Sequence, residues 1–258
     1  MMTIPPDIFL PYTEPQNNHL WVLWPLFAWI SFWLLFAFKS KFRESLIWSR
    51  GRKRASSHNR RKELADWAQS KGLKPNPSAG VKMASRYWQL KCLQRGDEHY
   101  AFNVMEGMVN NFKVCTFDYY YETVTSSYGN RLEDRVIHGR YYFSAVVIET
   151  DFQLKPMIIH TENIINKIAE YTRLHDINFE SMEFNNKFHV KASDRRWAYD
   201  VVNQATMELL LNHCRFNIEL NGNYVIAYRD DLFSPGYFEE ALQLLTGIVD
   251  NLPKPLSG

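Results

Sequence analysis

Lys113–Val124 reads KVCTFDYYYETV and Tyr141–Glu149 reads YYFSAVVIE. The first alternates with the two-residue period of a strand, and the second is an almost unbroken apolar run, as in a strand covered on both faces. Both are rich in Tyr, Phe, Val and Thr, whose side chains suit a pleated sheet. The stretch from Tyr100 to Phe152 shares this composition, with turn residues at Gly107, Asn110 and Asn111 and again at Ser126, Ser127, Gly129 and Asn130. It is expected to form an antiparallel meander.

Helical patterns flank the meander. On its N-terminal side, Leu64, Ala65, Trp67 and Ala68 form a stripe closed by Gly72 and Pro75-Asn76-Pro77, and a short helix is expected around Ala84 to Leu90. On its C-terminal side, Ile164, Ile165, Ile168 and Ala169 follow Thr161 as a plausible N-cap, and Phe179 to Val190 reads as short strands around Asn185 and Asn186. A long helix is expected next, capped by Ser193 or Asp194, with Trp197, Ala198, Val201, Val202, Ala205, Leu209 and Leu210 on one face. FNIEL and YVIAY around Asn221-Gly222 read as a tight hairpin, because Asn and Gly accept positive φ. Ser234 and Pro235 open a final helix with Phe238, Ala241, Leu242, Leu245, Ile248 and Val249 inward, ended by Pro253. The fold class is α+β, one domain over residues 63–258.

Upstream lies LWVLWPLFAWISFWLLFAF, Leu20 to Phe38, with no ionisable side chain. Nineteen helical residues at about 1.5 Å each cover roughly 28 Å, close to the hydrocarbon thickness of a bilayer. Residues 1–19 carry only Asp7 and Glu14 as charged side chains, whereas residues 39–62 hold ten Lys and Arg against Glu44, a net of +9. A cleaved signal peptide needs a basic start, a shorter apolar core and a small-residue cleavage site, and all three are missing. The sequence therefore predicts a short extracytoplasmic tail (1–19), a single transmembrane helix (20–38), a basic juxtamembrane linker (39–62) and a cytoplasmic domain (63–258). Lys and Arg are retained inside, so the N-terminus is expected outside the inner (cell) membrane.

The overall charge of +2, less the +9 of the linker and the −2 before it, leaves −5 on the domain. Lys39, Lys41, Arg43, Arg50, Arg52, Lys53 and Arg54 are expected at the membrane surface, facing anionic headgroups of the inner leaflet, each worth about 1 kcal/mol there. Such a cluster also suits nucleic acid, but it has few aromatic residues for base stacking beyond Trp48, and the lipid reading is preferred.

Chemical signatures are sparse. GxxxxGK, GxGxxG, HExxH and GxSxG are all missing, and the eight histidines have no metal-ligand spacing, so no cofactor and no metal is expected. Cys92, Cys115 and Cys214 lack CxxC spacing and suit a reducing compartment. Asp118, set among aromatic residues in FDYYYE, is the catalytic candidate, with His138 second and His99 and His160 as further histidines of the strand region. The plainer expectation is that Asp118 pairs with an Arg or Lys across the sheet. His213 and Cys214 point about 100° apart on a helix and are read as helix-end packing, and Asp194, Arg195 and Arg196 as a cap with solvated charges.

FHVKASDRRWAYDVVNQATMELLL (Phe188 to Leu211) and FNIELNGNYVIAYRDDLFSP (Phe216 to Pro235) resemble the C-terminal pattern of uncharacterised bacterial membrane-anchored proteins, an F-x-V strand leading into S-D-x-x-x-A, a helix, a hairpin and a final helix. NVMEGMVNNFKVCTFDYYYET (Asn103 to Thr123) is similar to that family's strand pair. The resemblance implies an architecture and carries no assigned activity.

The leading expectation is a non-enzymatic module at the cytoplasmic face that binds a protein partner or the lipid surface. The alternatives are a membrane-tethered enzyme with a site near Asp118, and a lipid or small-molecule binder using Tyr119, Tyr121, Tyr141 and Tyr142.

Overall fold

A computed structural model describes residues 58–126, 135–161, 171 and 174–253. The apolar run 20–38, the seven membrane-surface basic residues and the stripe 164–169 lie outside them. Among the described residues no helix is long and apolar enough to cross a membrane.

Helix α1 (His58–Ser70) opens the described domain, five residues before the expected start at residue 63. Gly72, with φ of +73°, closes it, and Leu73 N–H reaches back to the Ala68 carbonyl at 2.9 Å. After the two-residue strand β1 (Lys74–Pro75) comes a covering segment: a 3₁₀ turn (Pro77–Lys82), the single-turn helix α2 (Met83–Arg86) and a second 3₁₀ turn (Lys91–Gln94). The expected meander then follows as β2 (Glu98–Val109), β3 (Phe112–Ser126) and β4 (Arg135–Thr161). Asn110 and Asn111 make the first turn with φ of 49° and 66°, values that Asn tolerates better than most residues. Gly107 lies within β2.

The 27-residue β4 is the spine of an antiparallel sheet. On one side its first half pairs with β3 and its second half with β6 (Phe188–Ala192), which in turn pairs with β5 (His175–Ile177). On the other side it pairs with β7 (Asn217–Arg229).

Three expectations are corrected. Asn221-Gly222 is not a hairpin turn, because β7 runs straight through it, pairing Tyr224–Arg229 with Ser144–Glu149 and Ile218–Leu220 with Met157–Ile159. The positive φ of Gly222, +60°, serves a bulge instead. The bulge reverses the alternation: Val225 and Ala227 share a core with Ile218 and Leu220, residues of the opposite parity.

The long helix is two, α4 (Arg195–Val201) and α5 (Gln204–Asn212), because Asn203 caps α5 by accepting from Thr206 N–H at 3.1 Å. Asp194 caps α4 as expected, accepting from Trp197 N–H at 3.0 Å. Phe179–Val190 holds helix α3 (Met182–Lys187), capped by Ser181, before β6 begins. The final helix α6 (Pro235–Asp250) matches its expected start at Ser234-Pro235, and all six expected inward residues are buried.

Both faces of the sheet are covered, which explains the both-sided apolar run Ala145–Ile148. On the helix face, Val114, Val146, Ile148 and Ala227 belong to one core with Leu64, Phe238, Ala241 and Leu245 from α1 and α6. On the opposite face, Met83, Tyr87, Leu90 and Leu93 of the covering segment pack on Phe117, Tyr119, Phe143 and Tyr228.

Candidate functional site

Asp118 sits in the middle of β3 and faces the helices, in register with Ser144 of β4. It is 0% exposed. Arg60 of α1, itself 6% exposed, grips it with two parallel bonds, Nη1 to Oδ2 at 2.6 Å and Nη2 to Oδ1 at 2.8 Å. Planar guanidinium matches planar carboxylate in this arrangement, the strongest geometry open to such a pair. Asn103 Nδ2 donates to Oδ2 at 2.8 Å and the Ser144 hydroxyl donates to Oδ1. Each carboxylate oxygen therefore has two donors.

The shell around the pair is also satisfied. Arg60 Nε and Nη2 donate to the Phe233 carbonyl at 3.2 and 2.8 Å, and Phe233 N–H donates to Ser144 Oγ at 2.9 Å. Asn103 reaches Asp118 because a bulge sets Asn103 and Val104 against Phe117 alone, and Asn103 takes φ of 50°. The expected salt partner is thus real, but it comes from a helix and not from across the sheet.

The candidate histidines do not join Asp118. His99 stacks on Tyr119, with ring centroids 6.1 Å apart, on the opposite face. His160 packs edge-on against Tyr171, 5.7 Å away, beside Glu219 on that same opposite face. His138 lies in β4, outside the residues whose side chains are described. His213 Nδ1 is 3.4 Å from Glu240 at the end of α5, in keeping with helix-end packing.

A second buried carboxylate lies within the FNIEL stretch, where no sequence signal marks it. Glu219 is 2% exposed and accepts from Lys91 N–H at 2.6 Å, Cys92 N–H at 3.0 Å and the Tyr171 hydroxyl at 2.8 Å. Burial holds its carboxyl above the usual range against the pull of these donors. It fastens the covering segment to β7. Its neighbour Cys92 has its thiol pushed up by burial and then by the Glu219 charge, so it is not a ready nucleophile.

His160, 1% exposed, has its pKa lowered to about 4, first by burial and then by Arg95, His189 and Lys191. Among the described residues no group of His, Cys, Asp and Glu is arranged to hold a metal.

The tyrosines proposed as a binding face divide between the two sides. Tyr119 is fully buried, donating to the Leu93 carbonyl at 2.6 Å, and Tyr121 stacks on Tyr141 at 4.9 Å. Tyr142 belongs with Tyr120 and Tyr100 on the helix face.

No family model and no curated protein matches this chain. Among solved structures, the crystal structure of the mycobacterial trehalose monomycolate transport factor A, TtfA, is similar, with a TM-score of 0.56 at 10% identity. The match covers 77% of this chain and 99% of that one. At that identity the likeness is one of fold.

Proposed function

We propose that the chain is a single-pass, membrane-anchored, non-enzymatic module, with its N-terminus outside and its α+β domain at the cytoplasmic face, where it binds the lipid surface or a protein partner. The observation that carries the non-enzymatic part is the state of Asp118. A carboxylate with four donors, no exposure and a bidentate Arg60 has no lone pair in reach of a substrate, and proton transfer needs such reach.

The anchor rests on the apolar run and its lopsided flanks. The lipid component draws support from the neighbour of like fold, whose name assigns it to the transport of trehalose monomycolate, a lipid. Photo-crosslinking of the full-length protein in its own membrane, followed by identification of the captured species, tests the reading. It is expected to capture anionic lipid or a defined protein; a chain that captures neither and turns over a soluble substrate contradicts it.

A further inference from the structure

Between Asp66 and Asp97 the chain has no acidic residue and six basic ones, in a domain whose balance is −5. This stretch contains the covering segment, whose inward side chains, Met83, Tyr87, Leu90 and Leu93, are buried on the sheet. Its outward side is unusual. Val81 is 85% exposed and Trp88 63%, among the most exposed large apolar residues of the described domain.

The same stretch carries Lys74 and Lys82, both exposed, and the half-buried Lys91, none with an ion-pair partner among the described residues. Arg86, by contrast, is held by Glu106, and Arg95 by Asp230. Exposed apolar and aromatic side chains together with unpaired lysines, on a stretch without an acid, are the composition of a surface that seats on an anionic bilayer, the apolar groups at the headgroup boundary and the ammonium groups on phosphates.

We propose that the outward side of the covering segment, Val81 and Trp88 with Lys74, Lys82 and Lys91, docks on the anionic surface of the membrane that anchors the chain. This rests on the anchored reading above. Nineteen residues separate Phe38 from His58, a reach of up to about 65 Å when extended, so the tether permits the contact and concentrates the surface against the bilayer. Glu219 adds a structural reason for the segment to hold its shape when loaded, since it pins the backbone at Lys91 and Cys92 from beneath.

The test places a polarity-sensitive fluorophore at Val81→Cys in a Cys214→Ser background, in the full-length protein reconstituted into vesicles. Cys92 and Cys115 are buried and stay unlabelled. A second protein carries the label at Met182→Cys, an exposed position on α3, whose neighbour Phe184 belongs to the helix-face core. In phosphatidylcholine vesicles containing phosphatidylglycerol, the label at 81 is expected to shift to the blue and to be quenched by lipid-borne nitroxide, while the label at 182 stays water-like. Lys74→Gln, Lys82→Gln and Lys91→Gln together are expected to lower the ratio of docked to undocked protein about a hundredfold, roughly fivefold per lysine.

A protein that reconstitutes but keeps a water-like label at 81 overturns the docking surface alone. A blue shift without quenching by lipid-borne nitroxide also overturns it, and assigns the surface to a protein partner or a second copy. A chain that does not integrate into the bilayer overturns the anchored reading and the docking surface with it.

Discussion

Arg60, in the first turn of the first described helix, holds both carboxylate oxygens of Asp118 at the centre of the sheet, 58 residues further along the chain. The contact is buried on both sides and shares its donors with the Phe233 carbonyl. It ties the start of the first described helix to the strand on which the meander is built.

Removal of one partner leaves a charge stranded in the core. Arg60→Met is expected to destabilise the domain by about 3–5 kcal/mol, whereas Arg60→Met combined with Asp118→Leu is expected to recover much of that loss, because a matched apolar pair needs no desolvation of ions. Denaturant unfolding of the full chain in mild detergent measures both. A loss below about 1 kcal/mol for the single change contradicts the role given to the pair.

His160 makes stability depend on pH. Its folded pKa, about 4, lies below the ordinary 6.5, so the unfolded chain takes up the proton first. The stabilisation is complete above pH 6.5 and drains away as the pH falls toward 4, a loss of about 3 kcal/mol across the window. His160→Phe, which keeps a ring against Tyr171, is expected to flatten that slope. An unchanged slope in the variant would assign the acid sensitivity elsewhere.

Glu219 acts with the opposite sign. Its folded pKa is raised above 4.5, so its contribution is fully present below pH 4.5 and is lost as the pH rises through the folded value. Glu219→Gln is expected to remove this decline, at the cost of a mismatched hydrogen bond to Lys91 or to Cys92 and Tyr171. Unfolding measured on the alkaline side of pH 4.5 separates the two groups, because they slope in opposite directions.

A side chain at Gly222 is strained by its φ of +60°, which β-branched residues tolerate least, and its Cβ, 2.5 Å from Gln89 Nε2, would also push the flexible Gln89 amide aside. Gly222→Val is expected to cost about 2 kcal/mol or more in thermal or denaturant unfolding. A neutral result would mean that the strand adopts another register.

The three thiols should differ in reactivity. Cys214 is exposed, while Cys92 and Cys115 are buried, Cys115 with a pKa pushed up to about 12 by burial and the nearby Glu106. Native protein is expected to take one equivalent of an alkylating reagent and denatured protein three, as read by intact mass. A fast second equivalent in the native state would show that the covering segment opens.

Much of this fold is written locally. The meander, its Asn110-Asn111 turn, the caps at Asp194 and Ser234 and the inward face of α6 all follow from short-range patterns whose local and tertiary demands agree. Where two structures make the same local demand, sequence cannot choose. Asn221-Gly222 supplies positive φ equally to a hairpin or a bulge, and the choice is made by β4, a strand long enough to pair along both arms. Asn203 reads as a polar residue inside a helix until its side chain is seen to start a new one.

The candidate site was legible only in part. Asp118 stands out by its aromatic neighbours, but Arg60 reads as one more charge of the basic stretch, because nothing local separates a buried arginine from a solvated one. Glu219 reads as the polar side of an alternating strand. The opposite face carries a cover of its own, the segment Pro77–Gln94, so the polar side is also interior.

The anchored orientation is tested most directly by a reporter fused after Gly258 in the full-length protein, one active only in the cytoplasm and one active only outside it. Activity of the cytoplasmic reporter alone is the result this account requires. Activity only outside would place the α+β domain on the far side of the membrane and contradict it.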